Sequence, residues 1–584
     1  MATGTEGASS LAFHEPDIVT ILVQTSFLLL LNAINALLDR LLFCGLLGQV
    51  LIGIAWGTPG AAWLPAQVEQ VIVQLGYLGL ILLVYEGGLS TRFKSLEANL
   101  SLSCAVALTG IAVPIALSFS LQRLLGATPL QAFAAGAALC STSLGTTFTV
   151  LSASGLSSSR LGVVLTSAAM MDDVVGLVML QVISNLGGDI KPIIIIRPIL
   201  VSLAFAIIVP CLCRFLVKPV TLSLNHYRER HHSTKLGGIL RRVETAFVLH
   251  SLLLIALVTG ATYAGTSNLF AAYIAGATIS WWDSEVPHPP DRENRLVGNL
   301  EERKTDDTAT NSEPYPPTEH APLPENLIQS QEPPVQTVER ENVIPTPAAH
   351  TPTCGAAIYE RYYQQATARI LQPFFFASIG FSIPVTRMFS GHVVWRGLIY
   401  AMLMAAGKLV CGLWLFRFPL GSMTESLRGA MAQVKLPTMP HVWGKSTERQ
   451  ATTTNTSRQA PRPRTEEAAA AADNVPASSP RNTPPKPFSL YPPLIIALAM
   501  TARGEIGFLI SAVAESNGVF SPTGSSVNQE SDMFLVVTWA IVLCTIVGPL
   551  GVGLCVRRVR TLEERKNREH DGAGRDVLGK WAVG

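Results

Sequence analysis

About thirteen stretches of this 584-residue chain are apolar for long enough to cross a bilayer, which takes roughly 20 residues. They fall near 18–37, 41–56, 68–89, 101–123, 130–153, 160–184, 193–217, 243–264, 267–282, 368–385, 392–416, 490–515 and 532–555. Lipid offers no hydrogen bonds, so a spanning segment must satisfy its own backbone, and each run is read as a helix. Charged residues make up 14% of the chain and hydrophobic ones 48%, whereas soluble domains carry about 25% charge. The sequence therefore reads as an all-α integral membrane protein, multi-pass in the lipid bilayer. His231 and His232 sit in a basic loop without an acid or thiol at ligand spacing, and the cysteines lie mostly in apolar runs without a CxxC pair. No enzyme activity, no cofactor and no nucleic-acid partner are expected.

One run stands apart. RLGVVLTSAAMMDDVVGLVMLQ, over 160–181, carries Asp172 and Asp173 side by side near its middle. A single acid at the centre of a spanning helix costs about 2.5–3.5 kcal/mol on the insertion scale, and two adjacent acids also repel. No Pro or Asn interrupts the run, so it is read as one helix whose acids are there for function.

The polar segments set the topology. An acidic N-terminus (1–17), read as extracytosolic and without a leader peptide, precedes spans one to nine (18–282). Residues 283–354 and 419–487 are rich in Pro, Ser, Thr and Glu, and are expected to be disordered cytosolic loops. Spans ten and eleven (355–418) lie between them, and spans twelve and thirteen (488–556) precede a charged tail (557–584). An alanine run at 468–472 reads as low complexity. Arg40, Arg92, Lys94, Arg160, the basic cluster over 218–242 and Arg557–Arg560 fall on one side of the membrane. The other side holds scattered bases such as Arg123, Lys191 and Arg387. The positive-inside rule then puts the C-terminus and both long loops in the cytosol.

Several polar groups could partner the aspartates. Span five contains Ser141, Thr142, Ser143, Thr146 and Thr147 around Gly145, a pattern that frees backbone carbonyls and supplies hard oxygen ligands or, more plainly, glues helices together. Lys408 sits mid-span in span eleven, where an ammonium needs a counter-charge. Span twelve holds Arg503 and Glu505, with Gly504 and Gly507 permitting an interrupted helix that the two charges would help to fix. Glu86 lies about a turn from the end of span three and reads mainly as an interfacial acid. Spans four to six and eleven to thirteen thus form two triplets, each with an interrupted middle helix. Inverted repeats with broken helices meeting at the midplane mark the binding site of a secondary transporter.

With MMDDVVGLV at 170–178, ARGEIGFLI at 502–510 and Lys408 in AAGKLVCGLW, the chain resembles the monovalent cation/proton antiporters, specifically the second cation:proton antiporter group with its two-aspartate Na⁺/H⁺ exchangers. STSLGTTFTVL at 141–151, GTSNLFAAYIAGATIS at 265–280 and LQPFFFASIGFSI at 371–383 add to the match, and the two long insertions look fungal in style. The resemblance implies thirteen helices, a homodimer, and a mobile core of spans four to six and eleven to thirteen working by alternating access. It implies that Asp173 binds the transported Na⁺ and that Asp172 pairs with Lys408. Na⁺, Li⁺ and K⁺ all remain open as the cargo exchanged for H⁺, with K⁺/H⁺ antiport or a K⁺ efflux system as the alternative. Plasma membrane, vacuole and endosome all fit.

Because residues 290–350 hold too little apolar surface to pack, deleting them is expected to leave insertion and ion exchange intact. Complete loss of transport in a correctly inserted deletion variant, assayed in vesicles, would show the segment to be part of the machine.

Overall fold

The computed structural model describes residues 15–91, 93–143, 159–187, 192–230, 242–285, 353–415, 490–521 and 531–569, with single residues 145, 151 and 156. Most of both long loops, the alanine run, His231, His232, Thr146 and Thr147 lie outside the described residues. Within them all regular structure is helical. The elements used below are α1 (Ile18–Leu42), α2 (Gly45–Trp56), α3 (Ala66–Leu89), α4 (Phe93–Ser118), α5 (Leu121–Leu125), α6 (Pro129–Ala138), α7 (Arg160–Ser184), α8 (Pro192–Leu212), α9 (Lys218–Arg230), α10 (Val243–Ala264) and α11 (Asn268–Glu285). The second part adds α12 (Gly355–Tyr359), α13 (Gln372–Phe381), α14 (Val385–Met388), α15 (Gly391–Leu409), α16 (Tyr491–Ala499), α17 (Glu505–Ser516) and α18 (Asp532–Glu569).

Among the described residues every apolar run contains helix, and the runs at 160–184 and 243–264 agree to the residue. Eight described helical stretches are long and apolar enough to cross a membrane. The others are short or interrupted, and the interruptions matter most. The tenth run also begins earlier than its hydropathy suggests: helix starts at Gly355 and passes through two wide turns, Glu360–Gln364 and Thr367–Leu371, before α13. That leading segment is polar and aromatic, so it escapes an apolar count. Tyr362 stacks on Phe247 with ring centroids 4.4 Å apart, and Tyr359 packs 6.0 Å from Tyr85.

Local chemistry sets the ends of the site helices. Thr128 and Gln131 form a reciprocal cap at the start of α6, with Pro129 in the first turn. Ser159 caps α7 by accepting from the Gly162 N–H at 3.1 Å. α6 stops after Ala138, where the Cys-Ser-Thr-Ser run begins.

The helices pack as two groups. One comprises α4, α6, α7, α15, α16, α17 and α18, and the other α1, α2, α3, α10, α11 and α13. They meet where α7 touches α11, where α17 touches α13 and where α1 touches α18. In the second group backbones touch directly. A Cβ at Gly88 would collide with the Tyr273 carbonyl, and one at Gly276 with the Tyr85 carbonyl, so α3 and α11 are pressed together through reciprocal glycines. Gly53 and Gly380 do the same between α2 and α13, against Ala377 and Val50. Small residues allow such approach in lipid, where packing rather than water drives association.

Gly87 and Gly88 make a matched test. A Cβ at Gly87 meets nothing within 4 Å. Gly88→Ala is expected to destabilise the protein by about 1–3 kcal/mol through overpacking, while Gly87→Ala is neutral or slightly stabilising as a helix substitution. Equal melting temperatures for the two variants in detergent would refute the tight α3–α11 contact.

Candidate functional site

Two helices break in the middle of the first group, and the breaks cross. α6 gives way over Leu139–Ser143, and α16 is separated from α17 by Met500–Gly504. The Ser143 N–H donates to the Ala502 carbonyl at 3.0 Å, so each broken end supplies part of the other's backbone pairing. Gly504 lies against Ser143, where a Cβ would sit 2.6 Å from its Oγ. Gly507 takes the Ala138 carbonyl at 2.7 Å from the same imagined atom.

A helix that ends in lipid leaves its last carbonyls without donors and concentrates partial negative charge there. Two buried cations serve the end of α6. Lys408 Nζ donates to the Cys140 carbonyl at 2.7 Å, and Arg503 Nη1 donates to the Ser141 carbonyl at 2.7 Å. Both side chains are fully buried. Arg503 thus caps the other broken helix, not its own, while its own carbonyl accepts from Thr545 Oγ1 at 2.9 Å. Spacing along span twelve could not show this, because the crossing partner lies 362 residues away.

Lys408 also joins the first aspartate. Its Nζ stands 2.8 Å from Asp172 Oδ2, with both side chains at 0% exposure. Thr142 Oγ1 donates to the same carboxylate oxygen at 2.9 Å and lies 3.0 Å from Lys408 Nζ. Gly110 of α4 closes the third side, and a Cβ there would fall 3.1 Å from Lys408 Nζ and 3.3 Å from Asp172 Oδ2. Asp172 Oδ1 has no hydrogen-bond partner among the described residues.

Asp173 sees different company. Successive residues on a helix point about 100° apart, so the neighbours cannot share a face. Asp172 turns toward Lys408, and Asp173 stays half-buried, within electrostatic reach of Glu505 at the start of α17. The packing agrees: a Cβ on Gly176, one turn beyond Asp173, would meet the Ile506 side chain at 3.1 Å. Glu505 is therefore grouped with the second aspartate. Ser141, Thr142 and Ser143 all belong to the crossing; Glu86 stands beside Tyr359, near the end of α3. With every group ionised, Lys408 and Arg503 face Asp172, Asp173 and Glu505, a cluster with one excess negative charge.

A further wall comes from the second group. Tyr273 of α11 is in electrostatic reach of Asp173, and its hydroxyl lies 3.1 Å from Thr91 Oγ1. Sequence reasoning missed both residues, since a tyrosine and a threonine near the end of apolar runs carry no signal of their own.

Residues 26–296 match the family model described as sodium/hydrogen exchanger, transmembrane. The high-affinity Na⁺/H⁺ antiporter NhaS3 of Synechocystis sp. is 35% identical over 163 residues, covering 27% of this chain and 35% of the relative. The Na⁺/H⁺-K⁺ antiporter GerN of Bacillus cereus is 31% identical over 144 residues, covering 24% of this chain and 37% of the relative. The chain thus spans little more than a third of the length of either. Among solved structures, the sodium proton antiporter MjNhaP1 of Methanocaldococcus jannaschii aligns over 93% of this chain and 99% of its own at 12% identity, with a TM-score of 0.45.

The buried pair yields a double-mutant test. Lys408→Ala strands Asp172 in low dielectric and is expected to cost about 3–5 kcal/mol of stability. Lys408→Met combined with Asp172→Leu should melt closer to wild type than either single change. Melting of Lys408→Ala at the wild-type temperature would mean that the ammonium is no structural counter-ion.

Proposed function

We propose that this chain, which over residues 26–296 belongs to the sodium/hydrogen exchanger family of cation:proton antiporters, exchanges Na⁺ for protons at Asp173. The observation that carries the reading is a fully buried Asp172–Lys408 pair at the crossing of two broken helices, next to a half-buried second aspartate. Asp172 is committed to an ammonium and a hydroxyl. Asp173 and Glu505 are left to balance the excess negative charge, and a single monovalent cation or a single proton does so. Competition for that place couples the two fluxes, because the site can hold a cation or a proton but not both.

In this mechanism the group containing α4, α6, α7 and α15–α18 is the mobile core, and the glycine-packed group around α3 and α11 is the scaffold. The core exposes Asp173 to the two sides in turn. Arrival of the cation loosens Asp172 from Lys408, which gives up its proton, so two protons exchange for one cation. The net charge then couples transport to the membrane potential at about 2.3 kcal/mol per charge per 100 mV. The basic clusters near Arg40, Arg160 and Arg557 make their side, and with it the C-terminus, the cytosolic one.

K⁺ is the second reading, favoured by the match to GerN, a Na⁺/H⁺-K⁺ antiporter. Proteoliposomes tested with Na⁺, Li⁺ and K⁺ decide between them. Asp173→Asn, which cannot exchange a proton, is expected to abolish cation-driven proton movement while the protein still folds. Wild-type rates in that variant would remove Asp173 from the mechanism.

A further inference from the structure

Three distances place the Thr91 hydroxyl, and one of them joins it to Tyr273. Thr91 Oγ1 lies 3.1 Å from Tyr273 Oη, 3.2 Å from the Gly87 carbonyl and 3.8 Å from Met170 Sδ. Met170 is one turn before Asp173 and on the same face of α7, so the hydroxyl pair of Thr91, just past the end of α3, and Tyr273 of α11 is set beside the stretch of α7 that carries the second aspartate. The pair is held firmly. Ser280 donates to the Thr91 carbonyl at 2.8 Å, and the reciprocal glycines beneath leave α3 and α11 no room to slide.

Proton counting leaves the pair two arrangements. A threonine hydroxyl has one proton, and both Tyr273 Oη and the Gly87 carbonyl, which also accepts from Ser90 Oγ at 2.8 Å, are within its reach. With that proton on the Gly87 carbonyl, Thr91 accepts from Tyr273, the phenolic proton points at Thr91 and the lone pairs of Tyr273 Oη are turned away from it. An oxygen that shows lone pairs without a proton suits a monovalent cation stripped of part of its water, which must find protein oxygens in exchange.

We propose that Tyr273 is a cation-site residue contributed by the scaffold, its hydroxyl facing the ion that Asp173 holds, and that Thr91 is the positioning residue that turns the Tyr273 proton away. This deepens the antiport reading and rests on it. The site is then shared between the two helix groups, with a carboxylate from one and a neutral oxygen from the other. The scaffold oxygen is available only while the core stands in the position described here, so affinity for the cation becomes a property of one conformation.

The test uses the full-length protein in proteoliposomes loaded for Na⁺-driven proton movement, with choline as the inert cation. Tyr273→Phe removes one oxygen and is expected to raise the KM for Na⁺ about 3- to 10-fold, more than it lowers the maximal rate. Thr91→Val frees the phenolic proton to compete for Asp173 and should raise KM in the same direction. Combining the two should be no worse than Tyr273→Phe alone. In detergent, the rise in melting temperature produced by NaCl over choline chloride should shrink in both variants. A folded Tyr273→Phe protein with wild-type KM and wild-type Na⁺ stabilisation overturns the assignment. If Tyr273→Phe does not fold, an unchanged KM in Thr91→Val overturns it. In either case wild-type exchange that depends on Asp173 leaves the antiport reading standing, whereas a wild-type protein that moves no protons for any monovalent cation removes both.

Discussion

The ammonium of Lys408 holds the centre of this molecule together. A charge and a broken helix are each costly in lipid, and here one offsets the other. The end of α6 leaves carbonyls that need donors, and Lys408 and Arg503 are cations that need acceptors. Asp172 and Thr142 complete the Lys408 shell, so the ammonium spends its three protons within 3.0 Å. The crossing depends on all of these at once. Remove the cations and the break exposes backbone; close the break and the cations have nowhere to sit.

Two adjacent aspartates acquire different roles from helix geometry alone. One residue's advance turns the side chain by about 100°, enough to carry Asp172 into the sealed interior and leave Asp173 half-buried at the boundary between the two helix groups. Asp172 is tied to α15 and to the crossing. Asp173 meets the start of α17 and the Tyr273 side of α11. That division ties one carboxylate into the crossing and leaves its neighbour at the boundary between the two helix groups.

Much of this was legible in the residues. The apolar runs marked the long spanning helices, two of them to the residue, because lipid imposes length so strictly; the polar and aromatic helix that starts at Gly355 and the basic α9 carried no such signal. Asp172, Asp173 and Lys408 declared themselves by being charged where charge is expensive. The hydroxyl run at Ser141–Ser143 and the glycines at 504 and 507 marked both breaks. What chain order could not reveal was azimuth. Arg503 and Glu505 look like partners at a separation of two, yet their side chains serve different neighbours: the carbonyls of α6 and the second aspartate. Glu86 and Glu505 are equally conspicuous acids in sequence, and only packing shows that Glu505 reaches Asp173 while Glu86 stands by Tyr359. Tyr273 and Thr91 were silent for the converse reason, since neither is unusual where it lies.

The last helix has a mechanical consequence. α18 runs unbroken for 38 residues, Asp532–Glu569, with Pro549 inside it. At 1.5 Å per residue it is about 57 Å long, against a hydrocarbon core of roughly 30 Å. It is packed on α15 and α16 beside the crossing, and its burial continues through Val552, Val556 and Val559, so only its last turns extend past the packed core. A tilt of the base by about ten degrees would sweep the far end of a rod that size through several ångströms.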